Sequence, residues 1–252
     1  MSTFMNSEDF GLKVARGKER NAYHVNKFGF NTSVGNSFET VSDLGTNFLP
    51  TSAAVISVVS ADANDDDGDT GARSVKIEGL DANYALVDET IALNGTSAVT
   101  TTQTFLRVFR MSVATAGSSK TNEGQITASH GGTNIAAIHS DNGGQSLMAV
   151  YTVPAGYKAY LSMFQGSISK NQEATFEMRT KNGASDSSFL NKGVWGTFGS
   201  PVTYDYKFPL EIGQKTDIEI RVKAGATSGC GAIFDLLVVK DNSYTENPDP
   251  TA

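Results

Sequence analysis

Residues 73–78, Arg73-Ser74-Val75-Lys76-Ile77-Glu78, set polar and apolar side chains on alternate positions. That period of two places every second side chain on one face of a β-strand. Thr175-Phe176-Glu177-Met178-Arg179 and Asp217-Ile218-Glu219-Ile220-Arg221-Val222 repeat it. Between them lie apolar runs of strand length, Ala54 to Ser60, Leu86 to Leu93, Phe105 to Val113, Leu147 to Val153, Lys158 to Phe164, Val202 to Phe208 and Ile233 to Val239. Turn chemistry separates these runs. Asn94-Gly95 is a strong hairpin signal, Ala116-Gly117-Ser118-Ser119 ends one strand, and Pro154-Ala155-Gly156 fixes a tight reversal. No stretch carries a convincing helical period. Many short strands with turns between them predict an all-β fold, a β-sandwich of jelly-roll-like type.

The composition is consistent with that fold. Of 252 residues, 39% are hydrophobic and 19% charged, and 25 are Gly against 6 Pro, a turn-rich and polar-surfaced balance. Lys plus Arg number 20 and Asp plus Glu 27, so the net charge is 20 − 27 = −7, which argues against a phosphate-tracking nucleic-acid surface. No apolar run approaches the roughly 20 residues that span a bilayer. Met1 to Glu8 lack the basic start and apolar centre of a secretory signal, and the single Cys230 excludes an internal disulfide framework.

The first fifty residues stand apart. They show no sustained period, yet they hold six of the fourteen Phe: Phe4, Phe10, Phe28, Phe30, Phe38 and Phe48. A solvated tail is poor in aromatics, so this segment is buried against something. It is either a terminal strand with loops on the chain's own sandwich, or an extended arm that wraps a neighbouring subunit. On the second reading Phe10, Tyr23, Phe28 and Phe30 are buried anchors, while Lys13, Arg16, Lys18 and Arg20 pair with acidic groups of the partner. Removal of Met1 to Phe30 would then abolish binding and leave the strands folded. The chain divides into an N-terminal arm, 1–50, a first β region, 51–140, a second, jelly-roll-like β region, 141–243, and a flexible tail, 244–252. The boundary is placed at Gly131-Gly132 and Gly143-Gly144.

Few residues offer chemistry. His24, His130 and His139 have no zinc spacing, no Gly-x-Ser-x-Gly elbow is present, and no carboxylate pair stands out. The acidic loop Asp62-Ala63-Asn64-Asp65-Asp66-Asp67-Gly68-Asp69 has oxygen ligands in number. Its glycine and terminal glutamate fall outside the calcium-loop spacing, so it reads first as a solvated turn and second as a calcium site. Cys230 has no nearby cation to activate it. Trp195, Tyr204 and Tyr206 form either a sugar-stacking platform or core aromatics. No catalytic residue, metal or cofactor is assigned.

Taken as an ordered set, several segments resemble one family. They are Val25-Asn26-Lys27-Phe28-Gly29, Gly71-Ala72-Arg73 with Gly79-Leu80-Asp81-Ala82-Asn83-Tyr84, Glu89-Thr90-Ile91-Ala92-Leu93-Asn94-Gly95, Thr102-Gln103-Thr104-Phe105-Leu106-Arg107-Val108, and Tyr151-Thr152-Val153-Pro154-Ala155-Gly156. The likeness is to virion structural proteins of tailed phages, many from marine bacteria and cyanobacteria, and runs from about Ala15 to Val239. The loop at Asp65 to Asp69 is more acidic than the family's. The resemblance implies a non-enzymatic particle component, assembled in the host cytoplasm and located in the virion. As a capsid decoration or cement protein, its partners would be the major capsid protein and neighbouring copies of itself in a homotrimer, with no nucleic acid or membrane. The alternatives are a neck, nozzle or tail-fibre component, and a carbohydrate-binding host-recognition module.

Overall fold

The computed structural model describes residues 9–183 and 186–241; Met1 to Glu8 and the 244–252 tail lie outside them. The described residues form an all-β fold, with one short helix and two packed sandwiches among them. The larger sandwich uses β1 (Ala22–Val34), β2 (Glu39–Thr40), β10 (Val150–Thr152), β11 (Tyr157–Ile168), β12 (Glu173–Asn182), β13 (Leu190–Phe198), β14 (Val202–Ile212), β15 (Thr216–Ala224) and β16 (Ser228–Lys240). One sheet runs β1-β16-β11-β14 and the other β10-β15-β12-β13, and β2 pairs with β15 on the edge that β10 also uses. Counting β2 and β10 as one position gives eight positions in chain order. The two sheets then read 1-8-3-6 and 2-7-4-5, which is jelly-roll topology.

The other sandwich interrupts that shared position. It contains β3 (Ala54–Ser60), β4 (Ala72–Leu80), β5 (Leu86–Ala92), β6 (Val99–Phe105), β7 (Arg107–Ala116), β8 (Ile126–His130) and β9 (Thr133–Ile138), as sheets β6-β3-β8-β9 and β5-β4-β7. Its core includes Ile56, Val58, Phe105 and Met111 together with Val75 and Ile77, the inward residues of the alternation at 73–78. Each sandwich keeps its own core, but the junction is packed too. Leu80 and Phe109 of the inserted sandwich belong to the jelly-roll core, and Phe109 lies 4.7 Å from Tyr151 between ring centroids. Arg107 forms a bidentate ion pair with Asp217, at 2.7 and 3.0 Å. Both residues are buried, and Arg107 also donates to the Pro50 carbonyl at 2.8 Å. A bidentate guanidinium–carboxylate pair fixes geometry in two directions, so it sets how the sandwiches meet.

This architecture corrects the N-terminal arm. Residues 22–34 are a strand of the jelly roll, paired antiparallel with β16 from Ala22↔Val239 to Asn31↔Cys230, so the second β region is not complete without them. Removal of Met1 to Phe30 would strip β16 of most of that partner rather than leave the strands folded. The sheets also pinch together at this strand. A Cβ on Gly29 would stand 2.1 Å from the Val41 carbonyl oxygen and 2.4 Å from the Ala149 nitrogen, and backbone cannot step aside as a side chain can. Gly29→Ala is expected to cost about 1–3 kcal/mol as an overpacking change, seen as a lower urea midpoint with an unchanged slope.

The helix α1 (Phe10–Ala15) was not foreseen. Asp9 caps it by accepting from the Leu12 amide at 3.1 Å. Gly17, at φ 66°, closes it: Lys18 N–H donates to the Lys13 carbonyl and Gly17 N–H to that of Val14, both at 2.9 Å. Among the described residues no helix is long and apolar enough to cross a membrane.

Candidate functional site

The most exposed apolar surface follows from how the jelly roll ends. β13 pairs only with β12 and β14 only with β11 among the described strands, so both sheets finish at the same side in open edges. On β13 the alternation is inverted. Gly193, Trp195 and Thr197 share one face, while Val194 and Phe198 share the other and point to solvent; the register shift between Met178↔Gly193 and Arg179↔Asn191 then puts Asn191 on the Val194 face, where it donates to Glu177 at 3.2 Å. Val194 is 56% and Phe198 65% exposed. On β14 the register breaks between Leu161↔Leu210 and Met163↔Asp205, so residues 206–209 bulge outward. The bulge holds Pro209, which has no N–H to donate, and Phe208, 81% exposed. A bulge with proline blocks pairing by a foreign strand. The β14 edge is therefore closed to strand addition and presents side chains instead.

The aromatic trio meets here. Trp195 and Tyr204 are 6.1 Å apart between centroids, and Tyr204 and Tyr206 4.8 Å. One face of the Trp195 indole is stacked on buried Phe164 at 4.1 Å and 17°. Its ring also folds back over Gly193, where a Cβ would lie 2.3 Å from the indole. Trp195 thus closes the end of the core, and of the three only Tyr204 is well exposed. Of the two readings of the trio, packing commits one face of Trp195 to the core and leaves Tyr204 as the ring that faces solvent.

The proposed arm anchors separate into two groups. Phe10 is 54% exposed on α1, beside exposed Leu12, while Val14 turns inward. Lys13 is half-buried, and Arg16, Lys18 and Arg20 line the surface. Tyr23, Phe28 and Phe30 are instead committed to the chain itself. The Tyr23 hydroxyl is 3.2 Å from that of Tyr151, and burial raises its pKa. Phe28 lies under the Arg110 guanidinium at 5.6 Å, and Phe30 covers Gly229 and Gly231 of β16. Lys27, on the same strand as Phe28, is buried.

The acidic loop is held from within. The Asp65 carboxylate accepts from Ser60 Oγ at 2.6 Å and from the amides of Ala72, Glu123 and Gly124 at 2.8, 2.8 and 2.9 Å. Its oxygens are already used, which opposes a calcium role. The other buried carboxylates are matched as well. Asp217 takes Arg107 and Thr152 Oγ1, and Glu219 takes Arg179 at 2.8 and 2.9 Å and Thr40 Oγ1. Among the described residues no three His, Cys, Asp or Glu side chains are grouped to hold a metal ion. Cys230 is buried, and burial pushes its thiol up to about 11, the opposite of activation.

No family model matches the chain, and no curated protein matches it. Among solved structures, one titled "Structure of infectious bursal disease virus Gt strain" is similar at 10% identity and a TM-score of 0.23, over 89% of this chain and 72% of that one. A bacterial lipoprotein from Bacteroides thetaiotaomicron is similar at 10% identity and a TM-score of 0.20, over 83% of this chain and 98% of that one. Scores this low carry no argument about what the chain does.

Proposed function

We propose that this chain is a non-catalytic structural component of a phage particle, a decoration protein that docks on the capsid shell and on neighbouring copies of itself. The observation that carries the reading is the inverted face of β13, where Val194 and Phe198 stand more than half exposed. Burying such side chains is worth roughly 1.5–3 kcal/mol each, whereas exposed ion pairs bring about 0–1. The matched state of the buried carboxylates supports a non-enzymatic role. The α1 surface contacts β1, and β1 and β14 are opposite edges of one sheet. Unlike surfaces on opposite edges suit head-to-tail contacts, which close into rings such as trimers when the rotation permits.

The test is rebinding to particles that lack the protein. Wild type should bind in proportion to the major capsid protein. A V194D/F198D variant should lose occupancy while its thermal melt stays unchanged, since both side chains are solvent-facing. A chain lacking residues 1–17, which removes α1 and leaves β1 whole, should fold and bind weakly. Full occupancy by both variants would overturn the docking assignment. A copy number matching a tail ring would move the protein to the neck.

A further inference from the structure

The junction of the two sandwiches leaves a cleft of about 390 Å³ between β1 and the β5-β4-β7 sheet. That is the size and position typical of small-ligand sites. Its walls are apolar where Val25, Leu86, Val87 and Phe109 line it. Its floor is cationic. Lys27 reaches it from β1 at 4% exposure, and its Nζ has one hydrogen-bond partner, the Phe109 carbonyl at 2.5 Å, so an ammonium there has two N–H groups unmatched. Arg110 stands on the rim and donates only to the Asn26 carbonyl, at 3.3 Å.

The other charges of the cleft are only partly offset: two carboxylates share one lysine and so keep about one negative charge, 2 − 1, against the two cations. Glu78 of β4 and Asp88 of β5 both pair with Lys76, at 3.2 and 3.4 Å. His24 lies 3.2 Å from Asp235, and the Tyr23 and Tyr151 hydroxyls bond each other. Among the described residues no carboxylate is within ion-pair distance of Lys27 or Arg110. Two cations whose hydrogen bonds go only to carbonyls, in a cleft with an apolar wall, call for an anion with an apolar body. Burying a lysine without a carboxylate is costly, and a ligand carboxylate would offset that cost.

We propose that this cleft binds a small organic carboxylate, its anion between Lys27 and Arg110 and its apolar body against Leu86, Val87 and Phe109. Sodium phenylacetate is the probe, titrated at pH 6.5 into the ¹⁵N-labelled full chain and followed by amide shifts. Saturable shifts are expected around 23–27, 78–88 and 109–110. Affinity should fall roughly tenfold or more in both Lys27→Met and Arg110→Gln, the loss of a charge-assisted contact. The uncharged 2-phenylethanol should not saturate the site. The proposal is overturned by an absence of saturable shifts, by equal binding of 2-phenylethanol, or by binding that survives both substitutions. Arg110 lies on the rim, so its variant keeps the test valid should Lys27→Met alter packing.

Discussion

Replacing Asp65 with alanine is expected to lower the unfolding free energy by about 3–6 kcal/mol, because each stranded donor costs about 1–3. The carboxylate is fully buried and joins three segments drawn from both sheets of the inserted sandwich. Ser60 ends β3, Ala72 opens β4, and Glu123 with Gly124 precede β8. Its own carbonyl accepts from the Gly95 amide at 2.9 Å, so a fourth segment hangs on the same residue. Alanine leaves three amide N–H groups aimed at an empty space, and two of them lie near enough to the surface to recruit water, which sets the upper bound. Asp65→Asn should lose less, since one oxygen still accepts while the amide NH₂ faces donors. Urea unfolding of the three proteins measures both losses. Millimolar calcium should leave the wild-type midpoint unmoved; a midpoint raised by calcium would return the loop to the metal reading.

The strands that alternate in the usual sense were legible because burial and pattern agree: Val75 and Ile77, Phe176 and Met178, Ile218 and Ile220 are all core residues. Two strands hid because their pattern is inverted. On β1 the inward face carries Lys27, Gly29 and Asn31, and the outward face Phe28 and Phe30. Asn31 is admitted to the interior by donating to Glu39 and to the Thr40 carbonyl. Phe28 and Phe30 find cover outside on Arg110 and on the glycines of β16. Polar side chains face inward only with such partners, and partners distant in sequence are invisible to a local pattern. The same inversion on β13 hid the exposed face that Val194 and Phe198 form. The jelly-roll order rests on long-range pairings such as β1 with β16, and the helix spans too few residues to show a period. Sequence alone named the aromatic-rich N terminus and the 195–206 trio as the places to look. Packing decided which of those side chains remain available.

Wild-type stability is expected to rise by about 2–3 kcal/mol between pH 7 and 9, and Lys27→Met to flatten that rise. Burial, reinforced by Arg110, pushes the Lys27 ammonium from its ordinary 10.5 down to about 7, against a smaller pull from Glu78. At pH 6 both states hold the proton, and the folded protein bears the cost of an enclosed charge. Above 7 the folded state sheds the proton while the unfolded chain keeps it until about 10.5, so the unfolded state binds more protons and stability climbs with pH. Other groups bound the window. Burial raises the Asp43 carboxyl to about 6, so stability falls as pH climbs from about 4 to 6, where only the unfolded chain ionises. Burial also raises Cys230 and Tyr151, so stability falls again above about 9, where the unfolded chain loses those protons first. Urea midpoints at pH 6, 7, 8 and 9 should therefore show a minimum near 6–7 for wild type. Lys27→Met should be more stable than wild type there and converge with it toward pH 9, with the unmatched Phe109 carbonyl offsetting part of the gain. Parallel curves would mean that Lys27 keeps its charge through some partner. A residue whose replacement stabilises the fold is one that folding alone does not favour, and the proposed carboxylate would give the Lys27 charge its use.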